Sequence, residues 1–358
     1  MPRTSAQSRR IAISSYKREA AYGTAPTVNS TNYSELDEFT SAPAAFSDDA
    51  ASNVDTIIGR ALPTKHEITV PKVELPYTEP RARPNSIASL LALSLGAPTA
   101  STQDGALVAY RHRFILPTPG TDALSGAAVE LAGDQRLYPG IVAKSFSMEG
   151  ASKGYLSCQG SLMGSGSRAA NADAFPSKIV EPWMNMGHMS AWIEVGATRS
   201  IAATPTQGAQ NISSGAGIAL KDRIAKMSFG LDETVMLDWG IGGGGAGLAQ
   251  QAFYGAQPKV KLSFTLAYKD VTEINYYFNQ NDLALEFDLK HPSLIAVGGA
   301  FYWGIHLVIP HCRFKPMGRT GNVGEFLGQD IEVEVMDDET NPPIILHIYN
   351  SKSVYLAA

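Results

Sequence analysis

Only two cysteines, Cys158 and Cys312, occur in 358 residues. Neither belongs to a CxxC pair or lies near a His/Cys cluster at zinc-ligand spacing, which argues against a zinc site. Both fall in strand-like runs and are expected as buried free thiols, although the sequence leaves a disulfide between them open. Charge is sparse as well. Charged residues make up 18% of the chain, against roughly 25% in typical soluble domains, which fits a surface largely covered by partners. The formal net charge of −5 speaks against a basic surface that grips nucleic acid, but not against one that nucleic acid slides past. No run of about 18 apolar residues is present, so no transmembrane helix and no membrane partner are expected. The N-terminus, MPRTSAQSRRIAISSYKR, is basic but has no apolar h-region. No signal peptide is read there, and synthesis in a cytosol is expected.

Motifs that carry chemistry are equally scarce. The run Gly240–Gly247 lacks the Lys-Ser/Thr that would follow in a phosphate-binding loop, and reads as a flexible loop. His66, His112, His188, His291, His306, His311 and His347 are scattered. His306 and His311 are five apart on a strand-like run, on opposite faces, which is poor metal geometry. Gly160-Ser-Leu-Met-Gly164 spells GxSxxG rather than the GxSxG of a nucleophile elbow. The acid clusters Asp48-Asp49, Asp232-Glu233 and Asp337-Asp338-Glu339 lack calcium-loop spacing and read as turn charges. No enzyme, cofactor or metal is expected.

What the chain does hold is alternation. In Leu137–Gly164, Val142, Lys144, Phe146 and Met148 fall on one face and Ala143, Ser145, Ser147 and Glu149 on the other. After the turn Gly150–Gly154, Leu156, Cys158 and Leu162 oppose Tyr155, Ser157, Gln159 and Ser161. Period 2 marks half-buried strands, so the stretch reads as a hairpin. A looser copy follows in Ala225–Asp232 and Pro258–Lys269, where Val260, Leu262, Phe264, Leu266 and Tyr268 share a face. A strand-turn-strand unit seen twice suggests two related β-halves rather than a solenoid. Further strands are expected at Lys65–Leu75 (an edge or bulge, because of Pro71), Ala109–Leu116, Leu283–Leu289, Ala300–Lys315, Asp330–Met336 and Ile344–Tyr349. Asn85–Gly96 is the best short helix, with Pro84 before it and Gly96 and Pro98 after it. Val271–Gln280 could add a helical turn or two.

The expected class is therefore mainly β, a sandwich or barrel with a short flanking helix and long loops. Residues 1–60 are polar and turn-rich and are expected as an extended N-terminal arm that orders against the body or a neighbour. Residues 61–163 and 225–358 would form the β-body as two halves. Residues 164–224, with Trp183, Trp192 and His188, would be an insertion of long loops and short strands.

The order of segments resembles the tail tube proteins of long-tailed, siphovirus-like bacteriophages. The matching features are Glu19-Ala-Ala-Tyr-Gly-Thr-Ala-Pro-Thr27, Val73-Glu-Leu-Pro76 with the Ile87–Gly96 helix, Tyr110–Phe114, and Tyr138-Pro-Gly140 leading into the Lys-Ser-Phe-Ser-Met hairpin. Leu283–Leu289, Val308-Ile-Pro310, a closing acidic strand and Ile344–Asn350 complete the match. The chain departs from the family in its length and in the tryptophan-bearing segment 164–224. The resemblance implies a structural virion protein, made in the host cytoplasm and located in the virion tail. It would self-assemble into stacked rings, hexameric or trimeric with pseudo-sixfold symmetry, through which the genome passes at ejection. Tape measure, tail terminator and distal tail or baseplate proteins would be its partners, with DNA passing without specific binding. An acidic lumen would repel phosphate, and Glu286, Asp288, Glu332 and Glu334 are the candidate lumen-facing acids. For Glu332 and Glu334 the plainer reading is a solvated strand face. Two alternatives remain: another virion β-protein (baseplate or decoration), and a carbohydrate-binding sandwich using Trp183, Trp192, Trp239 and Trp303.

Overall fold

The computed structural model describes residues 10–36, 45–53, 65–132, 134–196, 201–212, 218–220, 223–239, 249–255, 258–267, 271–316, 318–320 and 328–358. Its first half contains β1 (Arg10–Ile13), β2 (Ser34–Leu36), β3 (Ala45–Asn53), β4 (Lys65–Glu79), α1 (Pro84–Leu95), β5 (Ala100–Gln103), β6 (Tyr110–Ile115), β7 (Gly126–Ala132), β8 (Asp134–Ala151), β9 (Ser157–Gly164) and β10 (Ala169–Ala170). Its second half contains β11 (Met189–Val195), β12 (Ile218–Ala219), β13 (Ile224–Asp232), β14 (Val235–Asp238), β15 (Gln251–Tyr254), β16 (Lys259–Ala267), α2 (Thr272–Phe278), β17 (Leu283–Leu294), β18 (Tyr302–Phe314), β19 (Gly318–Thr320), β20 (Gly328–Val335) and β21 (Ile345–Asn350). The molecule is mainly β, as the alternation predicts.

The strands form two broad antiparallel layers. One runs β3-β4-β9-β8-β13-β16-β20. The other runs β12-β11-β17-β18-β21-β6-β5. A smaller ladder, β2-β1-β7, joins the first half of β8, which also carries β10.

Two long strands each serve two ladders, and both change partners at a proline. β8 pairs with β7 as far as Ile141, with a register slip opposite Pro139-Gly140, and then runs between β9 and β13. β18 pairs with β21 over Gly304–Val308 and with β20 over Cys312–Phe314. Its register against β17 slips between Leu285↔Ile309 and Leu283↔Cys312, the span that holds Pro310. A proline cannot donate to a ladder, so it sits where a bulge turns the strand into another sheet. Ala300–Lys315 is thus one bent strand.

The core lies between the layers. Phe146, Cys158, Phe229, Leu262, Phe264 and Val333 face Ile193, Leu285, Leu307 and Leu346 across it. Helix α1 is inside as well: every residue from Pro84 to Leu95 is buried, packed against β8, β21 and β6. Pro84 starts it, and Gly96, at φ 88°, ends it by donating its N–H to the Ala92 carbonyl. The helix is buried around its whole circumference, Ser86, Ser89 and Ser94 included. Their hydroxyls meet Glu79, Ser15 and Thr234, so each of the three buried serine hydroxyls is hydrogen-bonded.

The N-terminus of α1 is capped from a distance. The Asn85 N–H donates to Glu181 Oε2 at 2.7 Å, and Asn85 Oδ1 accepts from Tyr16 and Tyr355 at 3.0 and 2.7 Å. Burial pushes the Glu181 carboxyl up to about 8, despite the opposing Asn85 N–H and the charge of Arg83. The folded state therefore holds this proton at pH values where the unfolded chain has lost it, so stability falls as pH rises from about 4.5 to about 8. Glu181→Gln is expected to remove that slope and to raise the thermal midpoint at pH 9, read by melting curves across pH. A variant with the wild-type slope would contradict the assignment.

Residues 10–36, expected in an arm that orders against the body or a neighbour, lie on the body: they hold β1 and β2, β1 pairs with β7, and Ile11, Ile13, Tyr16 and Tyr33 are buried. Two expectations are corrected. Ala45–Asn53, read as part of the same arm with no strand in it, is a strand held by a nine-position ladder to β4. The segment 164–224 is no peripheral insertion: β11 pairs along its whole length with β17, from Met189↔Leu289 to Val195↔Leu283. The Gly240–Gly247 run lies outside the described residues. Both cysteines are free and buried. Burial pushes the Cys158 thiol up, which makes it a poor nucleophile.

Candidate functional site: a polar sheet face

The two layers treat their outer faces differently. In β8, β9, β13, β16 and β20 the inward residues fill the core, and the outward ones are nearly all small or charged. Three cross-strand rows show it. Ser157, Glu149, Ser228, Ser263 and Glu332 stand side by side. Thr78, Gln159, Ser147, Gly230 and Lys261 form the next row. Pro76, Ser161, Ser145, Asp232 and Lys259 form the third. No aromatic side chain interrupts these rows, and strand alternation alone puts every apolar neighbour on the far side.

The lysines on and beside this face sit beside acids. Lys226 Nζ lies 3.8 Å from Glu149, Lys261 Nζ 3.5 Å from Asp232, and Lys259 Nζ 2.6 Å from Glu233. Exposed pairs like these contribute little stability, about 0–1 kcal/mol each. Their effect is to neutralise the cations. Glu332 and Glu334 alternate with the buried Ile331 and Val333 and are exposed. The face presented to water is broad, hydroxyl-rich and carries no uncompensated cluster of positive charge.

Glu286 and Asp288 lie elsewhere, and the lumen-facing expectation fails for them. Both are fully buried. Glu286 accepts hydrogen bonds from the backbone N–H groups of Asn211 and Ile212, from Asn211 Nδ2, and from His306 Nε2 at 2.7 Å. Burial alone would raise its pKa; the bonds from His306 and Asn211 outweigh that and hold it below the ordinary carboxylate value. Asp288 accepts from the Gly208 N–H, and burial pushes its pKa up. These two acids fasten the segment 201–212 over the outer face of β17. Beneath it Ile212, Ala284, Val308 and Ile345 form a second small core.

The Glu19–Thr27 motif is also structural. Glu19 is buried, and its carboxylate accepts from the N–H of Gly23, the hydroxyl of Ser125 and the N–H of Gly140, at 2.9, 2.7 and 2.9 Å. Tyr22 donates its hydroxyl to the Gly140 carbonyl. The motif therefore clamps the bulge at which β8 changes sheets.

Other sequence candidates do not converge. Ser161 lies in mid-strand opposite Ser145 and Pro76. Trp183 is covered by Arg81, whose guanidinium lies 4.2 Å from the ring centroid. Among the described residues no group of three His, Cys, Asp or Glu side chains could hold a metal ion. No described helix is long and apolar enough to cross a membrane.

A polar sheet face on a bent β-sandwich is the geometry on which the comparisons bear. The family model described as phage tail tube protein matches residues 10–334. The chain belongs to the phage tail tube protein family. The match spans β1 to β20 and so includes the Glu19 clamp and the segment 164–224. No curated protein matches the chain. Among solved structures, one described as the crystal structure of Hcp protein is similar over 40% of this chain and 87% of that one, at 12% identity and a TM-score of 0.21. That likeness is too slight to place any element.

Proposed function

We propose that this tail tube protein self-assembles into stacked rings whose lumen is lined by the hydroxyl-rich face of β9, β8, β13, β16 and β20. The observation that carries the reading is the face itself. A channel for DNA must avoid both apolar patches and free cations, because each phosphate contact made by a lysine or arginine adds binding energy that would hold the duplex. On this face Lys226, Lys259 and Lys261 have acid neighbours, while Glu332 and Glu334 add negative charge.

The topology supports a ring built from two equal shares per chain. The hairpin β3–β4 is followed by α1, and β4 is rejoined by β9. The hairpin β13–β16 is followed by α2, and β16 is rejoined by β20. The β8–β13 ladder joins the two edge to edge. Repeating that junction between chains would close the sheet and remove its free edges. With eight strands per chain (β3, β4, β9, β8, β13, β16, β20 and β18), three chains give 24 strands. At about 4.8 Å per strand and a tilt near 40°, the barrel is roughly 48 Å across between backbones. Six chains would double that width. The three-chain ring with pseudo-sixfold symmetry is the better fit to a single duplex. Tape measure, terminator and baseplate proteins would then meet the tube lumen and ends in a siphovirus-like tail.

Negative-stain electron microscopy across protein concentration tests the assembly. Hollow tubes or rings are expected, and small solid particles at all concentrations would reject it. The lumen assignment has its own test. Tubes of Glu332→Lys/Glu334→Lys are expected to retain duplex DNA at about 50 mM salt and to release it by about 200 mM, a change of at least tenfold in retention. Retention equal to wild type would remove these residues from the lumen.

A further inference from the structure

Residues 201–212 form a small loop whose ends meet. Ile201 is bridged to Ile212, and the Ala202 N–H donates to the Asn211 carbonyl. Asn211 holds the loop in shape: its Oδ1 accepts from the Thr206 N–H at 2.6 Å, and its Nδ2 donates to the Thr206 and Ala209 carbonyls. The loop itself has no titratable side chain. What fastens it to the sheet is mostly acid. The N–H groups of Asn211 and Ile212 donate to Glu286, the Gly208 N–H to Asp288, and Gln210 Nε2 to Glu194 on β11. The Gln207 side chain adds bonds to the N–H and the carbonyl of Tyr302, and Lys290 Nζ reaches the Gln207 carbonyl.

Two histidines lie inside the circle of those contacts. One cross-strand row runs Asp288, His306, His347 and Arg113 over β17, β18, β21 and β6. The row on one side holds Lys290, Gly304, Tyr349 and Arg111, and meets the loop at Gln207 and Pro205. The row on the other side holds Glu286, Val308 and Ile345, and meets Asn211, Ile201 and Ile212. His306 and His347 are each 2% exposed, and their rings stack. His306 Nε2 has Glu286 as its partner. His347 Nδ1 has no hydrogen-bond partner, nor has Arg111 Nη1 on the neighbouring strand. The charged or titratable groups facing His347 are thus Glu286, Asp288 and Lys290 from β17, His306 from β18, Tyr349 from its own strand, and Arg111 and Arg113 from β6. Burial, and then repulsion from His306, Arg111 and Arg113, pushes His347 down to about 2.

We propose that residues 201–212 are an acid-opened cover, which lifts from the outer layer as His347 takes up a proton. Under the closed loop a charged His347 would be cut off from solvent, with no acceptor at Nδ1 and two guanidinium groups beside it, so charging and lifting are coupled. Once the loop lifts, the ring meets water and regains the ordinary value of about 6.5. A group held below its ordinary value in the closed state favours closure above pH 6.5, and that preference is lost as pH falls. One proton taken up per opening raises the opening constant about tenfold per pH unit below about 6.5. Glu286, held below its ordinary value, adds to opening only below about 4.5. Asp288, held above its own, opposes opening. Lifting uncovers Ala284, Val308 and Ile345, an apolar group on the outer layer. The device does not depend on the tube reading.

Hydrogen exchange of the full chain, read by mass spectrometry and corrected for the intrinsic rate of each amide, tests this. From about pH 7.5 to about pH 5.0 the protection of residues 206–212 is expected to fall about 30-fold. It should stay below that of the β13–β16 ladder throughout, since the loop opens locally. His347→Gln should show no change with pH, whatever its absolute protection; His347→Phe serves if the glutamine variant does not fold. Asp288→Asn should keep at least the wild-type slope, because it removes only an opposing group. Four results would overturn the inference. Wild-type protection could be independent of pH, or fall only together with that of the β13–β16 ladder. The slope could survive without His347, or vanish in Asp288→Asn, which would move the proton to a carboxylate.

Discussion

Glu286→Ala should lower the stability of this protein by about 3–5 kcal/mol, because several buried donors lose their shared acceptor at once. The substitution leaves His306 Nε2 and the N–H groups of Asn211 and Ile212 facing a void, and each unsatisfied buried donor costs about 1–3 kcal/mol. His347 stacks on His306 with centroids 5.7 Å apart, so the disturbance would reach a second strand. Urea unfolding measures the loss. Hydrogen exchange should show where it acts, with the amides of residues 206–212 losing protection first. Glu332→Ala is the control. Its side chain is exposed on a strand face, and a surface substitution of that kind stays within about 0.5 kcal/mol. A Glu286→Ala protein within 1 kcal/mol of wild type would mean that the segment 201–212 is held by something other than this carboxylate.

Gly140→Val should be nearly as damaging, by about 2–5 kcal/mol. Two costs combine. Gly140 has φ 72°, and a side chain in that left-handed region costs about 1–2 kcal/mol. A Cβ there would also lie 2.8 Å from the Cβ of Ser165 and 2.9 Å from Cζ of Tyr22, an overpacking worth about 1–3 kcal/mol. Gly23→Ala separates the two. Its φ is 81° with nothing within 4 Å of a built Cβ, so only the backbone cost of about 1–2 kcal/mol should appear. If Gly140→Val cost no more than Gly23→Ala, the Glu19–Tyr22 clamp would be loose enough to move aside. Because the clamp fixes where β8 turns from one sheet into the other, its loss should also disorder the polar face that β8 helps to form.

These two sites mark where the sequence misleads. Leu283, Leu285, Phe287 and Leu289 alternate with Ala284, Glu286 and Asp288, which reads as a strand with one wet face. All seven are buried, because the segment 201–212 crosses that face and supplies donors to the acids. Nothing local to β17 announces a cover that arrives from about 75 residues away. The pairing of Asn211 with Glu286 is visible only in three dimensions. In β20 the same alternation of acids with apolar residues is literal, and Glu332 and Glu334 are exposed. Identical patterns thus have opposite burial, and what differs is whether another segment lies on top.

Strands β1 and β3, inside the expected N-terminal arm, escape the sequence for a related reason. Arg10–Ile13 is four residues long, too short to show a period, and its ladder partners, Leu36 and Leu131, are distant in sequence. β3 has no apolar alternation at all and is held by its backbone ladder to β4. The hairpin β8–β9, the strands β13, β16 and β20 and the helix α1 were legible because each carries its signal within its own residues. For the strands the signal is period 2 with a polar outer face; for the helix it is a proline start and a glycine stop.

The sequence by itself determined the strand-rich class, the positions of strands such as β8, β9, β13, β16 and β20, and the position of the short helix α1. Each of these depends on neighbours within a few residues, where periodicity and turn chemistry act directly. Only the tertiary structure decided which acids are solvent-facing and which are latches, that α1 is buried all round, and that β11, in the segment 164–224, pairs into the sheet beside β17. Those outcomes depend on burial, and burial is set by segments that meet across the fold rather than along the chain.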